Sequence, residues 1–162
     1  MADIVPFKAV RPSKEHLKYF SSKSYKNYTE EELQNTLAKN PLSFLSIIHL
    51  KKHLSDSMTK ADRYMLVKNK YEDFKATNVL IKDETPAFYI YETVQGDGHL
   101  FCGIIAGASV TDYNTNVIKK HEATIAKREK TFKTYLKAVP FNAAPVLLTF
   151  PDDLAIEKGI QN

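Results

Sequence analysis

The apolar positions of this chain change period along its length, and each change marks an element. Val5 to Val10 is a short apolar-rich run that stops at Arg11-Pro12, and Ser13 precedes helix-forming residues from Lys14 to Phe20. The pattern predicts a strand, a turn and a helix capped by Ser13. A polar, aromatic loop over 22–28 leads to Thr29, whose hydroxyl can cap a helix while Glu32 reaches back to it. That helix is predicted to pass Leu33 and Leu37 and stop at Lys39, because Asn40-Pro41 turns the chain away from helix. Ser43 to Leu50 is rich in Phe, Leu and Ile and short enough for a buried central strand. Behind a Thr59 cap, Tyr64, Val67, Tyr71 and Phe74 recur at helical spacing until about Asn78, ahead of the apolar Val79-Leu80-Ile81.

Ala87 to Val94 has strong strand propensity, and Gly96-Asp97-Gly98 separates it from a second apolar run, Leu100 to Val110. This is a hairpin; its glycines link two strands instead of opening a helix, so they are not read as a phosphate cradle. After a turn-rich connection over 111–116, Ile125, Phe132, Leu136 and Val139 suit one face of a basic helix that ends by Pro140. Ala144 to Phe150 is predicted as a last strand, followed by a polar tail. The sum is an α+β chain: a mixed, largely antiparallel sheet with helices packed on it, one domain over 1–153 and a tail over 154–162.

Composition adds limits. With 162 residues and 43% hydrophobic content, the chain is expected to close one core without metal or disulfide staples. Cys102 is the single cysteine, which excludes an intrachain disulfide and fits a reducing compartment. It lies in the run Leu100-Phe101-Cys102-Gly103-Ile104-Ile105 and is expected to be a small buried thiol. No basic leader and no window of about 18 apolar residues appear, so a cytoplasmic protein without a membrane partner is expected. A net charge of +4 admits an anionic partner without separating nucleic acid from a phosphorylated metabolite.

The position of that charge says more. Between Val117 and Lys137 stand Lys119, Lys120, Lys127, Arg128, Lys130, Lys133 and Lys137 against Glu122 and Glu129, a surplus greater than that of the whole chain. A solvated helix face is one reading and an anion-binding face the other. His121 beside Glu122 joins an imidazole that titrates near neutral pH to a carboxylate, which suits acid–base work, although sequence neighbours point in different directions. Arg11, Ser13 and Lys14 gather at a predicted helix start, where unpaired N–H groups and two cations suit phosphate. His16, His49, His53, His99 and His121 lie in separate elements without zinc-type spacing, so no structural metal is expected.

Four ordered segments carry a resemblance: Pro6 to Pro12, Asn40 to Leu45, Val117 to Thr124, and Phe141 to Leu148. Together they resemble domain of unknown function family 1015, from Asp3 to about Asp153. Ser24-Tyr25, Lys127-Arg128-Glu129 and Phe132 look most like its Bacteroidetes-type branch. Many relatives have Pro-Tyr-Asp where this chain has Ser24-Tyr25-Lys26, and an acidic pair followed by Arg where it has Lys130-Thr131-Phe132. The resemblance implies that family chains continue beyond the last apolar segment, so that this one corresponds to an N-terminal portion. More distantly, the opening strand and Arg-Pro turn resemble the ParB and sulfiredoxin-like superfamily, which includes nucleotide-using enzymes and a free-serine kinase. In the Bacteroidetes-type branch the association with serine biosynthesis implies chemistry related to phosphoserine.

The functional expectation is an enzyme domain, a phosphotransferase or phosphatase, acting on a phosphorylated small molecule or nucleotide. Arg11, Ser13, Lys14, Lys119, Lys120 and Arg128 are the expected phosphate contacts, and His121 with Glu122 the expected proton-exchanging pair. Mg2+ or a nucleotide would be the companion of such chemistry. The alternatives are a nucleic-acid-binding module, with the basic helix on the backbone and Tyr25, Tyr28 or Tyr135 stacking on bases, or a regulatory domain whose basic face docks a partner. Oligomeric state is left open by the sequence.

Overall fold

The computed structural model describes residues 2–48, 58–120, 125–143, 145–151 and 153–161. The elements, in order, are β1 (Ile4–Val5), β2 (Val10–Pro12), α1 (Leu17–Phe20), α2 (Glu30–Lys39), α3 (Leu45–Ile48), α4 (Lys60–Ala76), β3 (Leu80–Lys82), β4 (Tyr89–Val94), β5 (Leu100–Ile105), β6 (Gly107–Ala108), α5 (Val110–Asn114), α6 (Ala126–Ala138) and α7 (Leu154–Gln161), with a 3-10 turn at Tyr25–Asn27. This is an α+β chain, but its described strands form no common sheet. Among the described residues they make three two-stranded antiparallel pairs, β1 with β6, β2 with β3 and β4 with β5. The expected mixed sheet is thus replaced by separate ladders, two of which are only two or three residues long.

The chain divides into two compact units. One comprises Met1–Ala9, Asp83–Ala123 and Asn142–Asn162; the other comprises Val10–Lys82 and Thr124–Phe141. The buried side chains of the described residues all lie in the second unit. There Ile47, Val67, Tyr71, Phe74, Val79, Leu80 and Val139 form one core, with Val10, Phe20, Leu42, Phe44, Tyr64, Tyr135 and Phe141 packed around it. The apolar stripe of α4 supplies Val67, Tyr71 and Phe74 as its spacing requires. Phe141 closes on Tyr71 with ring centroids 4.5 Å apart, and Phe20 sits 5.6 Å from Phe44.

The predicted capping box at Thr29 is present, and the predicted Thr59 cap is a capping box as well. Glu32 Oε2 accepts from Thr29 N–H at 2.8 Å while Glu32 N–H donates to Thr29 Oγ1. Asp62 Oδ2 accepts from Thr59 N–H at 2.9 Å and from Thr59 Oγ1 at 2.7 Å. Hydrogen bonds from the Thr29 backbone and side chain hold the Glu32 carboxyl below its ordinary value. The Thr59 side chain and backbone do the same for Asp62. Helix α2 stops at Lys39 as expected.

Other expectations change. The predicted strand at Ser43 to Leu50 turns helical from Leu45 in its described part, as α3, with Leu45 N–H bonded to Ser43 Oγ and both Leu45 and Ile47 buried. A short apolar run fits a buried strand or a buried helical turn, and packing on α4 selects the turn here. Pro145 to Phe150 enters no ladder, and Val146 and Leu147 are 81% and 88% exposed. The segment read as a tail forms α7. No helix among the described residues is long and apolar enough to cross a membrane.

In the first unit, β4 and β5 pair in full register from Tyr89↔Ile105 to Val94↔Leu100, which is the predicted hairpin. Gly98, at φ 86, takes the left-handed turn position that a side chain would strain. Cys102 is exposed on this hairpin, 4.0 Å from Glu92 Oε1, because a two-stranded ladder has no covering layer on that face. The expected burial of its thiol is therefore corrected. The Tyr89 hydroxyl donates to Asp83 Oδ2 at 2.7 Å and accepts from Ala9 N–H at 2.8 Å, tying the opening segment to the hairpin beside a Phe7–Tyr89 ring contact of 5.1 Å.

Two measurements check this account. Thr59→Ala removes the cap of α4 and is expected to lower Tm by roughly 2–4 °C. A carboxyl held low when folded binds fewer protons than when unfolded, so its contribution is complete above its ordinary range and fades as acid protonates it. Thr59→Ala should therefore also flatten the loss of stability on acidification, read by urea unfolding at falling pH. Tyr89→Phe leaves Ala9 N–H without its acceptor and is expected to cost about 1 kcal/mol in the same assay.

Candidate functional site

In the second unit, antiparallel pairing of β2 with β3 brings residues 10–13 to the end of α4. Arg11 lies opposite Ile81 in that ladder, and just beyond it Ser13 N–H donates to Val79 O at 3.0 Å. The chain then turns over 14–16, with His16 N–H bonded to Ser13 O at 3.0 Å, before α1 begins at Leu17. This turn delays the helix, so the residue at its N-cap is His16, which makes no side-chain capping bond. Ser13 does not cap α1; its Oγ is 2.8 Å from His16 Nδ1, with both side chains half-buried.

His16 forms one wall of an open groove of about 560 Å3, whose other lining residues include Leu42, Lys70, Asp73, Phe74, Thr77 and Val79. That volume lies within the range of small-molecule sites. Lys70, Asp73 and Thr77 recur at spacings of three and four along the last turns of α4, which puts them on one helix face. Lys70 Nζ stands 5.0 Å from the Phe74 ring centroid, and among the described residues no ion pair joins it to Asp73. Helix α4 ends where Thr77 N–H and Oγ1 both donate to Asp73 O and Asn78 adopts a left-handed φ of 56. Carbonyls at a helix C-terminus carry partial negative charge. The groove therefore has a side with the Lys70 ammonium and the His16 imidazole, and a negative side, Asp73 with the end of α4.

Arg11, Ser13 and Lys14, expected as phosphate contacts, share the β2–α1 segment beside this groove. Arg128 is exposed on the first turn of α6. Lys119 and Lys120 belong to the other unit, in a non-helical stretch after α5, where Lys120 Nζ stands 4.4 Å from the Tyr113 ring centroid as a cation–π contact. His121 and Glu122 lie outside the described residues. Tyr135, considered for base stacking, is packed edge-on against Tyr64 at 5.3 Å, and burial pushes its hydroxyl pKa up. His16, Lys70, Asp73 and Thr77 were not singled out by the sequence. The Ser13–His16 spacing was its sole local signal, and nothing in sequence links that turn to the end of α4. Among the described residues, no group of three or more His, Cys, Asp or Glu side chains is placed to hold a metal ion.

The model of the family described as Protein of unknown function (DUF1015) matches residues 4–162. The chain belongs to this family. The DUF1015 match spans the β2–α1 turn, the groove and the basic segment alike, and its description assigns no reaction. No curated protein and no solved structure matches the chain.

Proposed function

We propose that this DUF1015 chain is an enzyme domain that binds a phosphorylated small molecule in the groove between the β2–α1 turn and the end of α4. The observation that carries the reading is His16, which lines the groove together with Lys70 and stands 2.8 Å from the Ser13 hydroxyl through Nδ1. Phosphoryl chemistry is catalysed mainly by positioned donors and positive charge, which need little covalent participation from the protein. A half-buried hydroxyl locked to an imidazole, with a lysine in the same groove and Arg11 and Lys14 on the adjoining segment, supplies donors of that kind. A phosphotransferase or phosphatase is the corresponding reaction class, with Mg2+ or a nucleotide as its companion. The likeness to ParB and sulfiredoxin-like proteins, and the serine and phosphoserine chemistry implied by the Bacteroidetes-type branch, agree in kind with this class.

One observation favours a second reading. Lys127, Lys130, Lys133 and Lys137 are exposed along one side of α6 as a cationic stripe, with Arg128 and Phe132 also open to solvent elsewhere on the helix. Such a stripe suits the backbone of a nucleic acid, for which affinity would fall steeply with salt.

Calorimetric titration with simple phosphate monoesters at fixed salt tests the first reading. Lys70→Ala is expected to weaken binding about tenfold or more, the loss of one charge-assisted hydrogen bond. Equal affinity in wild type and variant would overturn it. Tight, salt-steep binding of a mixed-sequence oligonucleotide that survives Lys70→Ala but not Lys130→Ala with Lys133→Ala would move the assignment to α6.

A further inference from the structure

The two electrical sides of the groove restrict what fits it more narrowly than phosphate alone. A bare anion would meet Lys70 and His16 favourably, but it would also meet the Asp73 carboxylate and the carbonyl end of α4. Like charges brought together in a partly desolvated groove oppose binding. Asp73 is exposed and, among the described residues, meets no cation: Lys70 is drawn over the Phe74 ring, and Lys75, two residues on, pairs with Glu72 at 3.0 Å instead. Opposite charges three residues apart on one helix are within reach of each other, yet Lys70 and Asp73 form no ion pair and both line the groove.

We propose that the groove selects a small molecule carrying both a phosphate and an amine, with the ammonium seated at Asp73 and the carbonyl end of α4 and the phosphate at Lys70 and His16. This rests on the reading of the groove as a phosphate-ester site and names the class of ester. Each pole has a partner of opposite sign, so the negative side contributes to affinity for such a ligand and opposes one without the amine. The helix end suits an ammonium in particular, because its carbonyl dipoles accept N–H donors and complement positive charge. Ser13 stands behind His16: its hydroxyl is 2.8 Å from His16 Nδ1, and its own N–H is fixed to Val79 O, so the imidazole is placed before any ligand arrives.

The experiment compares phosphoethanolamine with propyl phosphate, nearly equal in size and differing in the amine, by calorimetry on the full chain. Wild type is expected to bind phosphoethanolamine about tenfold more tightly, a difference of about 1.4 kcal/mol. Asp73→Asn keeps the shape of the side chain and removes its charge. It should erase the preference, weakening phosphoethanolamine and leaving propyl phosphate equal or slightly improved. Lys70→Ala should weaken both esters alike, and unchanged thermal unfolding of each variant separates loss of site from loss of fold. Equal binding of the two esters by wild type, or a preference that survives Asp73→Asn, overturns the selectivity while leaving the phosphate reading intact. Absence of binding by both esters overturns selectivity and phosphate reading together.

Discussion

Three backbone pairs between Val10–Pro12 and Leu80–Lys82 are the constraint on which the second unit depends. They close a loop of most of that unit's length, at an entropic cost that grows only slowly with loop length and that the core offsets. Leu80 and Val79 are buried where the ladder meets α4, so the pairing and the apolar core form together. The same ladder brings Ser13 N–H to Val79 O, and through it places His16 beside the last turns of α4. The groove is therefore a consequence of strand register: a slip by one residue would reverse the faces of Arg11 and Ile81 and carry the Ser13–His16 turn off the helix end.

The two units are held by different means. The second buries a continuous set of aliphatic and aromatic side chains around α4. The first is organised by backbone ladders and polar ties: the β4–β5 hairpin, the short β1–β6 pair, the Tyr89 hydroxyl and Asp112. Asp112 caps outward through Oδ2 to Asp3 N–H at 2.7 Å, and its carbonyl accepts from Val117 and Ile118. Along that hairpin Ile90, Tyr91, Val94, Leu100 and Phe101 stay exposed. A two-stranded sheet has one layer and cannot cover its own faces.

Elements governed by contacts three or four residues apart were legible from the chain. Thr29 with Glu32 and Thr59 with Asp62 cap their helices through bonds that need no distant partner. The α4 stripe and the β4–β5 hairpin, with its left-handed Gly98, follow equally from local spacing and turn chemistry. Short apolar runs were not legible in this way. Ser43 to Ile48 packs as a helical turn because α4 offers a surface for one, whereas Pro145 to Phe150, with similar composition, meets no ladder at all. Propensity was alike in both; the available neighbour differed.

The site divides along the same line. Local sequence determined that Arg11, Ser13 and Lys14 would share one turn, that α4 would end near Asn78 in a carbonyl-rich terminus, and that cations would concentrate along α6. Tertiary structure alone decided that Ser13 would engage His16 instead of capping a helix, and that His16 would line one groove with Lys70 and Asp73. The physical reason is range: hydrogen bonds within one turn are encoded by adjacent residues, whereas the meeting of residues 13–16 with 70–77 exists only once the β2–β3 ladder and the core beneath it have closed.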